Sequence, residues 1–128
     1  MPLVNIYLSE GKSASDLITI GDTIHQALME TWDIPLDDRF QLFHEMKQEH
    51  FDINKKMWGV ARSDDIILLH ITSSPRAKQM KLDFYRRLPQ LLNENLDLRP
   101  EDVFISILTN TKEDWSFGNG QAQLLDES

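Results

Sequence analysis

Ile34-Pro-Leu-Asp-Asp-Arg-Phe40 and Leu98-Arg-Pro-Glu-Asp-Val-Phe104 read as two copies of one turn, separated by 64 residues. The same offset aligns Ile20 with Phe84, Ile24 with Leu88, Ala27 with Leu91 and Leu28 with Leu92. Trp32 falls on Leu96, Ile34 on Leu98, Asp38 on Asp102 and Phe40 on Phe104. Such regularity implies an internal duplication, with units at about 2–46 and 66–110.

Outward from the turn, each unit repeats one plan. A strand comes first, at residues 3–8 and 66–72, because Leu3-Val-Asn-Ile-Tyr-Leu8 alternates in the period of an extended chain. An amphipathic helix follows, roughly 14–32 and 76–95. Ser13 or Ser15 is placed to cap the first helix, and Pro75 sits where a first-turn proline is tolerated. The proline-containing turn then leads to a second strand at about 39–46 and 103–109. Each unit is therefore β-α-β, whose crossover makes its two strands parallel.

Two such units predict an α/β two-layer sandwich: one four-stranded main sheet with both helices on one face. The uncovered sheet face then requires an oligomer, for which a trimer around a barrel-like centre is one solution and a dimer another. Pro89 inside the second helix is expected to bend it. Residues 47–64 read as a polar connection around a short strand near Met57 to Val60. Asn119-Gly120 suits a type I′ turn, and Leu124 to Ser128 reads as a mobile end.

The chain has 128 residues, 41% hydrophobic and 27% charged, which suits one soluble domain spanning 1–128. No apolar run reaches the roughly 20 residues of a membrane span, and the start has no secretory pattern. A cytoplasmic protein is expected. A net charge of −8 argues against nucleic acid or an anionic membrane as partner. With no cysteine, thiolate chemistry and disulfides are excluded. His44 and His50 are six residues apart, about 240° of rotation on a helix, so that segment is not a zinc helix and no metal is expected. Gly-x-Ser-x-Gly, Walker and Gly-x-Gly-x-x-Gly patterns are missing. His25 and His70 read as ordinary surface or core histidines.

What remains is a proline amine, carboxylates and arginines. Removal of Met1 leaves Pro2 as a free secondary amine, able to exchange a proton or attack a carbonyl, and pinned by the strand that follows. Asp38 ends the first helix-to-strand turn, where it serves either its own backbone or a site. Arg76 opens the second helix, where a guanidinium meets a small carboxylate bidentately, unless it is only a solvated surface arginine.

Met1-Pro2, the duplicated β-α-β unit, Pro35-x-x-Asp38-Arg39, Ser74-Pro-Arg76 and Asp114-Trp-Ser-Phe-Gly118 together resemble the tautomerase superfamily, most closely its malonate semialdehyde decarboxylase group. The resemblance covers nearly the whole chain. It implies a homotrimeric enzyme without cofactor, acting on a small oxo acid or unsaturated carboxylic acid. By match, Pro2 is the central acid or base and Asp38 activates or orients water. Arg76 holds the substrate carboxylate, and Trp115 and Phe117 line the pocket. The decarboxylase pattern has Arg-Pro-Arg where this chain has Ser74-Pro75-Arg76, so a hydroxyl replaces one of two cations in the substrate site. The replacement puts decarboxylation itself in question. A neutral Pro2 amine supports keto-enol tautomerisation, whereas a protonated one supports hydration or decarboxylation. The competing reading is a non-catalytic ligand-binding or protein-interaction trimer on the same scaffold.

Overall fold

The alternating segment after Met1 forms strand β1 (Pro2–Ser9) in the computed structural model, which describes residues 1–126. Its even-numbered residues Val4, Ile6 and Leu8 are buried and its odd-numbered ones half-covered. The remaining elements follow the duplication: α1 (Ala14–Trp32), β2 (Phe40–Met46), β3 (Ile67–Ser73), α2 (Lys78–Leu96) and β4 (Val103–Thr109), with a last short α3 (Gln123–Asp126).

The sheet order is β2-β1-β3-β4. β1 runs parallel to β2 and β3 parallel to β4, while β1 and β3 meet antiparallel at the centre. Each β-α-β unit thus supplies one half of the sheet. Ile20, Ile24 and Leu28 from α1 and Phe84, Leu88 and Leu92 from α2 share one core with Val4, Ile6, Leu69 and Ile71, so both helices cover the same face. Each fully buried aliphatic or aromatic side chain contributes about 1.5–3 kcal/mol of transfer free energy.

The duplication extends to the helix ends. Asp33 and Asp97, 64 residues apart, both close their helices in the left-handed region, at φ 54° and 55°. Ser13, not Ser15, caps α1, its hydroxyl accepting from the Asp16 N–H at 3.0 Å. α2 begins at Lys78, so Pro75 and Arg76 precede the helix instead of opening it. Ala77 sits at its N-cap without a side-chain bond, and the helix runs through Pro89 to Leu96.

The expected strand near Met57 to Val60 is instead a 3-10 turn at Met57–Gly59. Asn54 Oδ1 accepts from the backbone N–H groups of Lys56 and Met57, and Arg62 Nη1 donates to the Asn54 and Met57 carbonyls. These bonds curl the segment into an arch and leave no extended run to pair. Asn119 and Gly120 have φ of 60° and 66°, as a type I′ turn requires, but no strands flank them. Of the end expected to be mobile, Leu124 to Asp126 lie in α3, and 127–128 lie outside the described residues.

The second sheet face carries the alternate residues of every strand. Phe40, Leu42, Phe104 and Leu108 are exposed on it, around a polar centre where Asn5 Oδ1 meets His44 Nε2 at 2.9 Å.

Candidate active site

The topology brings one end of all four strands together. β1 and β2 start there while β3 and β4 finish, because the two halves meet antiparallel. Four loop segments that are distant in sequence therefore converge: the N-terminus, the turn before β2, the link from β3 to α2, and the segment after β4.

Pro2 is buried and paired with Ser73. The chain's terminal amine, on Met1, donates to Ser74 Oγ at 3.2 Å and lies 3.8 Å from Asp38 Oδ2. Ser73 Oγ donates to the Ser74 carbonyl at 2.8 Å, and Arg76 Nε donates to Ser73 Oγ at 3.4 Å. The Arg76 guanidinium rests 5.3 Å above the Trp32 ring, a cation–π contact from α1. Burial holds the terminal amine below its ordinary pKa. Asp38 pulls it up and the Arg76 charge pushes it further down.

Asp38 differs from its duplicate. Asp102 is buried with both oxygens satisfied, Oδ1 accepting from the Ser63 N–H at 2.7 Å and Oδ2 from the Ser63 hydroxyl at 2.6 Å. The Asp38 side chain is 13% exposed, and its Oδ1 is buried without a hydrogen-bond partner. A buried carboxylate oxygen left open is costly in a merely structural role, and its setting is one that accepts a proton, a water or a substrate hydroxyl.

Beside the terminus is a cavity of about 480 Å³. Met1, Pro2, Leu3, Phe40, Trp115 and Phe117 give it apolar walls, and Thr72, Asn110 and Ser116 give polar points. Trp115 and Phe117 stack with centroids 5.6 Å apart. The Trp115 indole N–H donates to Asn110 Oδ1 at 2.7 Å, and the Phe117 N–H to Gln123 Oε1 at 2.9 Å. Asp114 closes a capping box with Thr111, so the aromatic wall stands on a locally bonded turn.

All six candidate residues thus lie around the N-terminus, in two groups. Pro2, Trp115 and Phe117 line the cavity, whereas Asp38, Ser74 and Arg76 gather around the terminal amine behind it. Met1 stands between the groups, bonded to the second and lining the first. Sequence reading passed over Asn110, Thr72, Leu3 and Phe40; the last three follow from their register on the open face beside Pro2. Asn110 carried no signal, because its bond to Trp115 depends on how the chain turns after β4. Among the described residues, no group of three or more histidines and carboxylates is placed to hold a metal ion. None of their helices is long and apolar enough to cross a membrane.

A family model described as tautomerase enzyme matches residues 38–118, and another with the same description matches residues 2–61. The chain is 36% identical to the probable tautomerase YrdN of Bacillus subtilis (strain 168), covering 98% of this chain and 97% of that protein. It is 37% identical to the probable tautomerase YusQ of the same strain, at 98% and 100% coverage. A malonate semialdehyde decarboxylase solved in wild-type, mutant and inactivated forms superposes with a TM-score of 0.92 at 28% identity, over 97% of this chain and 96% of that one. A malonate semialdehyde decarboxylase inhibited by 3-bromopropiolate superposes at 0.89 with 30% identity, over 97% and 95%. With a duplicated β-α-β sheet, a half-buried terminus beside an arginine and an unsatisfied aspartate, and these relatives along nearly its full length, the chain belongs to the tautomerase family.

Proposed function

We propose that this chain, once Met1 is removed, is a cofactor-independent tautomerase using the Pro2 secondary amine as general base on the enol of a small oxo acid. The observation that carries the reading is the electrostatics of the terminus: burial, opposed by Asp38 and aided by Arg76, holds the Met1 amine below its ordinary pKa, and the Pro2 nitrogen inherits that setting once Met1 is gone. Loss of Met1 brings the Pro2 nitrogen to the chain end and opens the cavity towards Asp38, Ser74 and Arg76. The Pro2 nitrogen takes the enol proton as the O–H electrons form the carbonyl. The alkene pair then takes that proton from the prolinium at carbon, restoring the neutral amine.

Arg76 binds the carboxylate and Ser74 holds a hydrogen bond at the amine or at substrate. Trp115 and Phe117 take the apolar part of the molecule.

A second reading, hydration or decarboxylation, is favoured by one observation: the unpartnered Asp38 Oδ1 suits a bound water. It is also the activity of the malonate semialdehyde decarboxylase relative. It needs a protonated amine, which Asp38 favours but burial and Arg76 oppose, and Ser74 offers no charge to a departing carboxylate. A homotrimer formed through the open sheet face is part of the proposal, supported by the exposed Phe40, Leu42, Phe104 and Leu108. Cytoplasmic placement is proposed with it.

The test is a paired assay of phenylenolpyruvate ketonisation and malonate semialdehyde decarboxylation with the parent, Pro2→Ala and Arg76→Ala proteins. Pro2→Ala should lose roughly a hundredfold or more in ketonisation, the scale of a lost general base. Full turnover in homogeneous Pro2→Ala would refute the proline-base reading, and no turnover of either substrate by the parent protein would favour the non-catalytic trimer.

A further inference from the structure

Three residues on one side of α1 reach across to the segment that carries Asp38. His25, 3% exposed, has its Nε2 2.8 Å from the Leu36 carbonyl oxygen. Asp22 pairs with Arg39 at 2.8 Å, and Gln41 Nε2 donates to the Gly21 carbonyl at 2.8 Å. Gly21 and His25 are four residues apart and so share a helix face. Gly21 permits the approach, since a Cβ there would meet Gln41 Oε1 at 2.6 Å.

Asp38 lies between the tied residues, yet its carboxylate has no such tie. Oδ1 is unpartnered and Oδ2 reaches the terminal amine only at 3.8 Å. Its position is inherited from its backbone. The turn holds itself by two backbone bonds, from the Asp38 N–H to the Pro35 carbonyl at 3.1 Å and from the Arg39 N–H to the Asp37 carbonyl at 2.9 Å, and the Leu36 side chain, 69% exposed, anchors nothing. The exposed Asp22–Arg39 pair contributes at most about 1 kcal/mol. The turn runs from buried Ile34 to Phe40, which pairs with Leu3, and between these ends the imidazole bond is its buried side-chain attachment. A carbonyl only accepts, so Nε2 carries the hydrogen.

We propose that His25 is a positioning residue of the active site: its Nε2–H bond to the Leu36 carbonyl fixes the turn from Pro35 to Asp38 and thereby the separation between the Asp38 carboxylate and the amine at Pro2. His25 touches no substrate and acts through Asp38. The inference rests on the proline-base reading above.

The charged groups facing the amine are Asp38, which raises its pKa, and Arg76, which lowers it. A carboxylate released from its place therefore leaves the amine with a lower pKa. His25→Leu keeps apolar volume without the donor, and His25→Gln keeps an N–H donor. In His25→Leu, kcat should fall roughly tenfold to a hundredfold, on the scale of an ångström-sized misplacement, because the displaced Asp38 carboxylate no longer stabilises the prolinium formed during the proton transfer. The acid limb of kcat/KM should move to lower pH, and His25→Gln should restore both. In an Asp38→Asn background, His25→Leu should change kcat by less than about twofold, because the two act as one unit. Should His25→Leu fail to fold, His25→Asn, whose shorter amide falls short of the carbonyl, is read in the same way. An unmoved acid limb, or a full additional loss in the Asp38→Asn background, would overturn the proposal. Pro2→Ala separates the two ideas: retained turnover there refutes the proline-base reading, whereas a silent His25→Leu beside an inactive Pro2→Ala refutes His25 alone.

Discussion

Replacing Arg76 with leucine removes a cation that does two things at once, and the two leave different marks. The guanidinium is the positive charge beside the terminal amine, and it is held there by Ser73 Oγ and the Trp32 face. Losing a charge-assisted bond to a substrate carboxylate costs about 1.5–3 kcal/mol, or roughly tenfold to a hundredfold in kcat/KM, expressed mainly in KM. The second mark is on pH. Arg76 lowers the amine pKa, so its removal raises that pKa, and the neutral base is then reached only at higher pH. The acid limb of the ketonisation profile should therefore shift upward. Arg76→Lys keeps the charge and loses the fork, so it should raise KM and leave the limb in place. Steady-state ketonisation of an aryl enol acid across pH reads both marks. Loss of the cation–π contact, about 0.5–1 kcal/mol, should lower Tm by roughly 2–4 °C, which separates a folding defect from a chemical one. An Arg76→Leu enzyme with the parent's KM and an unmoved limb would refute this role for the residue.

Three other perturbations follow from the same geometry. Asp38→Asn removes the charge that raises the amine pKa, so the acid limb should move downward, opposite in sign to Arg76→Leu, in the same titration. Asp102→Ala strands the Ser63 N–H and hydroxyl and should cost roughly 2–4 kcal/mol in urea unfolding while leaving the pH profile unchanged; the two aspartates are duplicates in sequence but not in role. Trp115→Ala removes the wall that stacks on Phe117, and KM for an aryl-substituted enol acid should rise about tenfold while that for a three-carbon oxo acid stays within about twofold.

The fold was legible because the duplication repeats buried positions. Trp32 and Leu96, and Ile34 and Leu98, were aligned by sequence alone, and those pairs flank matching left-handed helix ends at Asp33 and Asp97. What the sequence misread was local. Met57 to Val60 carries apolar residues, but Asn54 and Arg62 bend it into an arch through side chain to backbone bonds that no periodicity encodes. Pro75 permitted a helix start that Ala77 takes instead. At the site, residue types and motif order pointed to Pro2, Asp38, Ser74, Arg76, Trp115 and Phe117, which the topology gathers at one sheet end. Asn110 behind Trp115 and His25 behind the Asp38 turn were out of reach, since each acts on a neighbour distant from any motif. The contrast between Asp38 and Asp102 lies in whether a partner faces them, which is a property of the folded chain.

The central claim is that a free, neutral Pro2 amine does the chemistry, and it is tested most directly by titrating that nitrogen. NMR of protein labelled with nitrogen-15 proline, after intact-mass measurement on the same sample, should give a chain lacking Met1. Its Pro2 nitrogen should titrate below the ordinary value for an N-terminal amine and coincide with the acid limb of kcat/KM. Fully active protein that retains Met1, with a Pro2 nitrogen that does not titrate, would contradict the account.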